Sequence, residues 1–198
     1  YRGPLQAAIL DWAGTIVDYG CFAPAIVFVE VFKRRGIDIS IAQVRLPMGL
    51  HKRDHLAALL NMEPVAGQWQ KKFGHPYTDS ELDELYQDFI PLQLACLAEY
   101  ADLIPGTLES AAEFRKRGMK IGTTTGYDAE MLHIVKQEAQ KRGFVPDCSV
   151  SASDVPAGRP QPWMAFLNAQ NLGIYPMEAF VKVGDTVPDI GDSIADLY

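Results

Sequence analysis

The stretch AAILDWAGTIVDYG, residues 7–20, places a carboxylate directly behind a short apolar run. Residues 7–10 are apolar, Asp11 follows them at once, and Gly14 then marks a tight turn. A run of this length and composition predicts a short buried strand that ends at Asp11. The position two residues further on, where a second carboxylate would assist acid–base chemistry, holds Ala13. The stretch therefore predicts a strand that delivers a lone carboxylate to one edge of a sheet.

The composition and charge indicate a small acidic globular protein. The 198 residues are 48% hydrophobic and 22% charged, which suits one domain, or one domain with a smaller insert. A net charge of −7 argues against nucleic acid or an anionic membrane as a partner, and no apolar run approaches the roughly 18 residues of a membrane span. The three cysteines lie far apart without a CxxC pair, which argues against a disulfide framework or a zinc site and predicts a reducing, cytoplasmic location.

The pattern of apolar residues changes near residue 100. Residues from about 20 to about 100 have helical periodicity almost throughout, with Thr78 and Asp79 as candidate N-caps of one helix. Beyond residue 101, helical stretches alternate with the strand-like stretches KIGTTTG, PDCSVSASDVPAGRP and AFVKVGDT. This alternation predicts an α/β core with a parallel sheet, interrupted after its first strand by an all-helical insert of about 80 residues.

Polar side chains recur where the predicted strands end. Because ligands of open parallel sheets bind at the carboxyl ends of the strands, we expect these side chains to converge at one edge. They are Asp11, the residues 123–126, Asp154 with Arg159 further on, Asp185 and Asp189. Carboxylates suit a hard divalent cation such as Mg²⁺, whereas hydroxyls, backbone N–H groups and arginine suit phosphate oxygens. The set predicts a site for a divalent cation and a phosphoryl group.

Four of these motifs, in this order, resemble those of the haloacid dehalogenase superfamily. The stretch DWAGT resembles its first motif, Asp-x-x-Gly-Thr, in which Asp11 is the nucleophile. Thr125 resembles its hydroxyl motif, Arg159 its cationic motif and GDTVPD its acidic motif. The helical insert lies where the superfamily has its cap domain.

Longer stretches narrow the resemblance to the phosphonatase family of that superfamily. They are DWAGT with the nearby VDYGCFAP, PMGLHKRDH, IGTTTGY, DVPAGRPQPWM and KVGDTVPD. This family hydrolyses the carbon–phosphorus bond of phosphonoacetaldehyde to acetaldehyde and phosphate. Other phosphatases of the superfamily carry an acid two residues after the nucleophile, which protonates an ester oxygen. A carbon leaving group does not need that acid, and this accounts for Ala13.

The resemblance implies a role for each candidate residue. Lys52 would form a Schiff base with the aldehyde, and Asp11 would attack phosphorus to give an aspartyl phosphate. Mg²⁺ would be held by Asp11, the backbone carbonyl of Ala13 and Asp185. Asp189 would orient these ligands without binding the ion itself, or it would be only a carboxylate at a helix N-terminus. The substrate and its phosphoryl group would contact Met48, Gly49, His55, Cys21, Tyr127, Thr125, Gly126 and Arg159.

Structural interpretations of the same residues stay open. Taken alone, Lys52 is more often a solvated lysine at a polar helix start, and the reaction requires its pKa to be lowered by cationic neighbours such as Arg53 and by closure over the site. His55 suits a proton carrier or a structural histidine. Gly14 is expected to turn the backbone so that N–H groups face the phosphate. Packing or a loop position would account equally for Cys21, Tyr127 and Arg159.

The resemblance also divides the chain. Residues 1–19 and 101–198 would form a Rossmann-like α/β core, and residues 20–100 a helical cap domain inserted after the first strand. A homodimer through the cap helices and a small phosphonate ligand are implied. About 60 residues of the family's usual core are absent after about residue 190, so a join of two segments near residues 190–192 is expected.

Two other functions stay open. The first is a phosphomonoesterase or phosphomutase of the same superfamily, and the absence of an acid at Ala13 argues against it. The second is a non-catalytic protein that binds phosphate or a metabolite on the same scaffold. The joint presence of Asp11, Lys52, Arg159 and Asp185 argues against that function.

Overall fold

The computed structural model describes residues 2–189, so the join predicted near residues 190–192 lies outside the described residues. The main elements follow in chain order. They are β1 (Ala7–Asp11), α1 (Phe22–Arg34), α2 (Ile41–Arg45), α3 (Lys52–Leu60), α4 (Glu63–Phe73), α5 (Asp79–Leu97), α6 (Thr107–Lys116), β2 (Lys120–Thr125), α7 (Ala129–Lys141), β3 (Cys148–Ser151), α8 (Trp163–Leu172) and β4 (Phe180–Val183). None of these helices is long and apolar enough to cross a bilayer.

The four strands form one parallel sheet in the order β3-β2-β1-β4, which confirms the predicted α/β class. Strand β1 is buried along its whole length because it lies inside the sheet, and this explains its continuous apolar run. The register pairs Asp11 with Thr124 and Leu10 with Val183. The ends of β1, β2 and β4 therefore lie side by side, as the sequence predicts.

Six helices, α1 to α6, lie between β1 and β2, and the first five of them fall within residues 20–100, where the helical insert is predicted. The predicted cap at Thr78 is confirmed: its hydroxyl accepts from the backbone N–H of Glu81, whose side chain accepts from the backbone N–H of Thr78. Helix α3 begins at Lys52. The periodicity of the sequence does not mark α2 and α4 as separate helices.

One hydrophobic cluster runs from the sheet into the helical insert. The indole of Trp12, next to Asp11 in sequence, meets Phe144 edge to face at a centroid distance of 5.9 Å. In the insert, the rings of Phe28 and Phe89 lie 4.6 Å apart and join α1 to α5. Because buried aromatic side chains contribute much of the hydrophobic stabilisation, this shared cluster fixes the insert on the edge of the sheet.

Candidate active site

A small cavity lies where the segment before α3 meets the carboxyl ends of β1 and β2. The volume that the centre of a water-sized sphere can occupy is about 20 Å³, so the cavity has room for roughly one water molecule. The lining consists of Asp11, Ala13, Cys21, Pro24, Met48, Gly49, Lys52, Thr125, Gly126, Tyr127, Arg159 and Thr186. All the predicted site residues line it except His55, Asp185 and Asp189.

Asp11 ends β1 and lies against a buried arginine. Nη2 of Arg159 donates to Oδ1 of Asp11 at 2.8 Å and to Oγ1 of Thr124 at 2.6 Å. Nη1 of the same guanidinium lies 3.1 Å from Oδ1 of Asp189. Charge-assisted bonds of this kind are strong in a buried setting. Arg159, which the sequence left open as an exposed loop residue, is instead buried and fixed beside Asp11.

Three carboxylates meet at this edge of the sheet. Oxygens of Asp11, Asp185 and Asp189 all lie within 4.8 Å of one another. Burial raises the pKa of Asp185, and the negative charge of Asp11 raises it further. Burial alone would raise the pKa of Asp189, but the positive charges of Arg159 and Lys182 outweigh it and hold that pKa below its ordinary value.

A hard divalent cation fits this donor set. Asp185 is exposed, and its oxygens accept only from Oγ1 of Thr15 at 3.2 Å and Sγ of Cys21 at 3.6 Å among the described residues. Ala13 lines the cavity beside Asp11, and its carbonyl accepts from Sγ of Cys21 at 3.2 Å. Such a cation takes carboxylate and carbonyl oxygens as ligands, and its charge relieves the repulsion between them. Asp189 differs, because two cations already balance its charge.

Lys52 stands at the first position of α3, with its side chain turned into the cavity. The residue is 4% exposed, and its Nζ lies 4.9 Å from the ring centroid of Tyr127 and 5.9 Å from that of Phe28. Burial lowers the pKa of Lys52 to about 8; the charge of Arg159 acts in the same direction, and that of Asp11 opposes it. Arg53, the neighbour expected to lower this pKa, instead bonds Asp83 at 2.7 Å on the outer surface.

Glycines let the helical insert approach the sheet closely. A Cβ on Gly126 would lie 2.5 Å from the carbonyl oxygen of Leu50 and 2.8 Å from that of Gly49. The residues 46–50 form turns between α2 and α3, and they bring Met48 and Gly49 onto the cavity as expected. Because backbone meets backbone here, a side chain at position 126 would force the insert away from the site.

Gly14 stands in a tight turn after β1. Its own N–H closes that turn by donating to the carbonyl of Val17 at 2.8 Å. Glycine is also required at this position for steric reasons. Its φ is +92°, and a Cβ would lie 2.1 Å from Oδ2 of Asp185. Gly14 therefore makes room for the carboxylate of the acidic motif.

His55 does not line the cavity. Its ring is fully buried, stacks on Phe28 at a centroid distance of 3.9 Å, and places Nε2 2.8 Å from the carbonyl oxygen of Val44. Burial lowers the pKa of His55 to about 3, and the neighbouring charge of Lys52 contributes. The geometry is that of a structural histidine, one of the two interpretations that the sequence left open.

Sequence reasoning missed several polar residues of the site. Nζ of Lys182 donates to Oδ1 of Asp189 at 2.7 Å and to Oγ1 of Thr124 at 3.0 Å. Oγ1 of Thr186 donates to Oδ2 of Asp189 at 2.5 Å, and Thr15 holds Asp185 as described above. A signal for Lys182 exists in the sequence: a lysine interrupts the apolar run AFVKV, where a buried strand favours apolar residues.

Comparison with known proteins identifies the family. A family model described as haloacid dehalogenase-like hydrolase matches residues 5–191. The phosphonoacetaldehyde hydrolase of Bacillus cereus (strain AH187) is 50% identical over 186 residues, which cover 94% of this chain and 70% of that protein. The phosphonoacetaldehyde hydrolase of Nitratidesulfovibrio vulgaris (strain DSM 19637 / Miyazaki F) is 46% identical over 193 residues, 98% of this chain and 69% of that protein.

A solved structure agrees with these relatives. The crystal structure of a phosphonoacetaldehyde hydrolase-like protein from Oleispira antarctica matches with a TM-score of 0.95 and 36% identity, over 98% of this chain and 70% of that one. The chain thus spans about 70% of the length of these relatives. Both the sequence and the fold lead to one conclusion: the chain belongs to the phosphonoacetaldehyde hydrolase family of the haloacid dehalogenase-like hydrolases.

Proposed function

We propose that this chain hydrolyses the carbon–phosphorus bond of phosphonoacetaldehyde to acetaldehyde and phosphate. The observation that carries the proposal is the cavity shared by the amine of Lys52 and the carboxylate of Asp11. A carbon–phosphorus bond breaks only when the carbon can pass its electrons to an acceptor. An amine that condenses with the aldehyde creates that acceptor, and a carboxylate on the phosphorus side takes the phosphoryl group.

Lys52 supplies the electron acceptor. With a pKa of about 8 instead of 10.5, roughly a tenth of the amine is neutral at pH 7, about 300 times the fraction of an ordinary lysine. The neutral amine adds to the aldehyde carbon, and loss of water gives an imine whose protonated nitrogen attracts electrons. The ring face of Tyr127 beside Nζ stabilises that cationic nitrogen.

Asp11 supplies the nucleophile. Its carboxylate oxygen attacks phosphorus while the P–C electron pair moves into a new C=C bond, which leaves an enamine on Lys52 and an acyl phosphate on Asp11. Arg159, now bonded to Oδ1 of Asp11, is positioned to take a phosphoryl oxygen instead. The backbone and hydroxyl at Thr125 and Gly126 bind the other oxygens.

Water completes the cycle. The enamine takes a proton on carbon, and hydrolysis of the resulting iminium releases acetaldehyde and restores Lys52. A further water hydrolyses the acyl phosphate and restores Asp11. No acid is needed at Ala13, because the leaving atom is carbon. Burial raises the pKa of the Cys21 thiol, so this group stays protonated and donates to the carbonyl of Ala13.

We assign Mg²⁺ to Asp11, Asp185 and the carbonyl of Ala13. When bound, the ion cancels the repulsion between an attacking carboxylate and a phosphonate anion. The fit of the oxygen donors and the raised pKa of Asp185 support this assignment. Asp189 does not bind the ion itself. It orients the site through its bonds to Arg159, Lys182 and Thr186.

Two features of organisation belong to the proposal. Residues 20–100 act as a cap over the core formed by residues 1–19 and 101–198, and two copies associate through the cap helices. The cavity has room for about one water, so a substrate enters only when the turns at residues 46–50 move away. Light scattering across a range of concentrations tests the homodimer.

One experiment tests the chemistry directly. Phosphate release from phosphonoacetaldehyde is measured for the wild type, Asp11→Ala and Lys52→Arg, and borohydride is added to trap the imine. We expect release by the wild type alone, and a reduced adduct that mass spectrometry assigns to Lys52. Lys71→Arg changes an exposed lysine of α4 and is the matched control. This variant should retain both phosphate release and formation of the reduced adduct. Turnover of sugar phosphates that is indifferent to Lys52→Arg would favour a phosphomonoesterase or phosphomutase instead.

A further inference from the structure

We propose that Lys182 is a positioning residue of the phosphoryl site, an inference that rests on the proposed function. Lys182 lies in β4 and does not line the cavity, so it does not touch the reacting atoms. Through Asp189 and Thr124 it fixes the guanidinium of Arg159, and it supplies positive charge that lets an anion bind beside three carboxylates. The argument comes from strand register, hydrogen bonds and the balance of charge.

The register of three strands places Lys182 under the site. Ile9 pairs with Lys182 on β4, and Asp11 pairs with Thr124 on β2. Alternate residues of a strand share a face, so Asp11, Thr124 and Lys182 all lie on the same face of the sheet. Lys182 therefore reaches across β1 to Thr124, at a Nζ–Oγ1 distance of 3.0 Å.

Lys182 and Arg159 share both of their acceptors. Oγ1 of Thr124 accepts from Nζ of Lys182 at 3.0 Å and from Nη2 of Arg159 at 2.6 Å. Oδ1 of Asp189 lies 2.7 Å from the same Nζ and 3.1 Å from Nη1 of Arg159. The guanidinium is thus held at two points that Lys182 also holds. A guanidinium held at these two points keeps one orientation beside Asp11, as recognition of a phosphoryl group requires.

The balance of charge explains why a second cation is needed. If a neutral residue replaces Lys182, the three carboxylates lose one neighbouring cation and the net charge of the cluster becomes one unit more negative, while Arg159 still bonds Asp11 and Asp189. Added negative charge strengthens the binding of a metal cation and weakens that of a phosphoryl anion, because both effects follow the local potential. Lys182→Met should therefore move the two affinities in opposite directions, whereas general damage to the fold would lower both.

The experiment measures binding separately from turnover. Calorimetry gives the affinity of Mg²⁺ alone and of inorganic phosphate in the presence of saturating Mg²⁺, for the wild type, Lys182→Met, Lys182→Gln and Lys182→Arg. We expect the Met and Gln variants to bind Mg²⁺ at least as tightly as the wild type and phosphate about tenfold more weakly. Lys182→Arg, which keeps the charge, should recover most of the phosphate affinity.

Lys120→Met is the matched control. Lys120 lies in β2, and its Nζ donates to the carbonyl of Leu172 at 2.8 Å, away from the carboxylates. This variant should bind both ions as the wild type does. Equal loss of both affinities in Lys182→Met and Lys182→Gln, or no change in either, would overturn the proposal. Because phosphate binding needs no substrate turnover, this result is independent of whether phosphonoacetaldehyde is the substrate.

Discussion

Nζ of Lys52 lies 4.9 Å from the ring centroid of Tyr127, and this contact joins the first turn of α3 to the loop that follows β2. The ring excludes water from the amine and so contributes to the burial that lowers its pKa. The ring face also favours a positive charge at the same atom. In the proposed mechanism, the pair would favour a neutral amine before condensation and stabilise a cationic nitrogen afterwards.

The pH dependence of the reaction should report the pKa of Lys52. Because the neutral amine attacks the aldehyde, kcat/KM should rise about tenfold per pH unit below pH 8 and level off above it. The measurement is phosphate release from pH 6 to pH 9.5 in buffers of constant ionic strength. A rise that continues to pH 10 would mean that the amine is solvated when it reacts.

His55 should make the fold sensitive to acid. Its folded pKa of about 3 lies below the ordinary 6.5, so the unfolded chain binds the extra proton between these values. The contribution of the buried neutral ring to the free energy of unfolding is therefore complete above pH 6.5. It falls by about 1.4 kcal/mol per pH unit as the pH drops toward 3. Urea unfolding at several pH values should therefore show the gap between the wild type and His55→Gln narrowing below pH 6.5. His133→Gln, at an exposed position of α7, is the matched control for the substitution.

Gly126→Ala should separate the insert from the sheet without unfolding either. The added Cβ meets the backbone oxygens of Leu50 and Gly49, which cannot rotate away, so the turns before α3 must shift. A displacement of about 1 Å can cost about 10²-fold in rate, and we expect a loss of that order in kcat/KM. Gly158→Ala is matched in place, since its Cβ would lie 3.6 Å from Cβ of Ala152, an ordinary contact. Equal activity of the two variants would contradict the close approach.

Asp185→Asn should weaken the metal site. The change removes one of three clustered carboxylates, so the Mg²⁺ concentration for half-maximal phosphate release should rise at least about tenfold. Asp154→Asn is the control. Asp154 follows β3 but accepts from the backbone N–H of Ser151 at 2.7 Å, outside the cluster, and its loss should leave the Mg²⁺ requirement unchanged. Chelation should stop both enzymes, and added Mg²⁺ should restore them.

The sequence was sufficient to locate the edge of the sheet where the site lies. Apolar runs mark the buried strands, and the residue after each run must lie at a strand end, which places Asp11, Thr125 and Asp185 together. Local periodicity also marks the helical insert, because helix signals depend on neighbours within a few turns. These inferences need no knowledge of which strand lies beside which.

Other features depend on contacts between distant parts of the chain. The position of Lys182 beneath Arg159 requires the register of three strands, and no local pattern contains it. The pKa of Lys52 depends on burial beneath two rings and on Arg159, not on the adjacent Arg53. His55 lies one turn of α3 beyond Lys52 and contacts the same Phe28 ring, but its Nε2 bonds the carbonyl of Val44 and the residue does not line the cavity.

The burial of Lys52 bears on the selectivity that the proposed function requires. A neutral amine on a protein surface reacts with many of the carbonyl compounds in a cell. With the turns at residues 46–50 lifted, this lysine would be hydrated and almost fully protonated, and therefore inert. It would become neutral only beneath the closed turns, where burial lowers its pKa, and there only a carbonyl compound that fits beneath them would react. On this proposal, selectivity against other carbonyl compounds would come from the same closure that activates the amine.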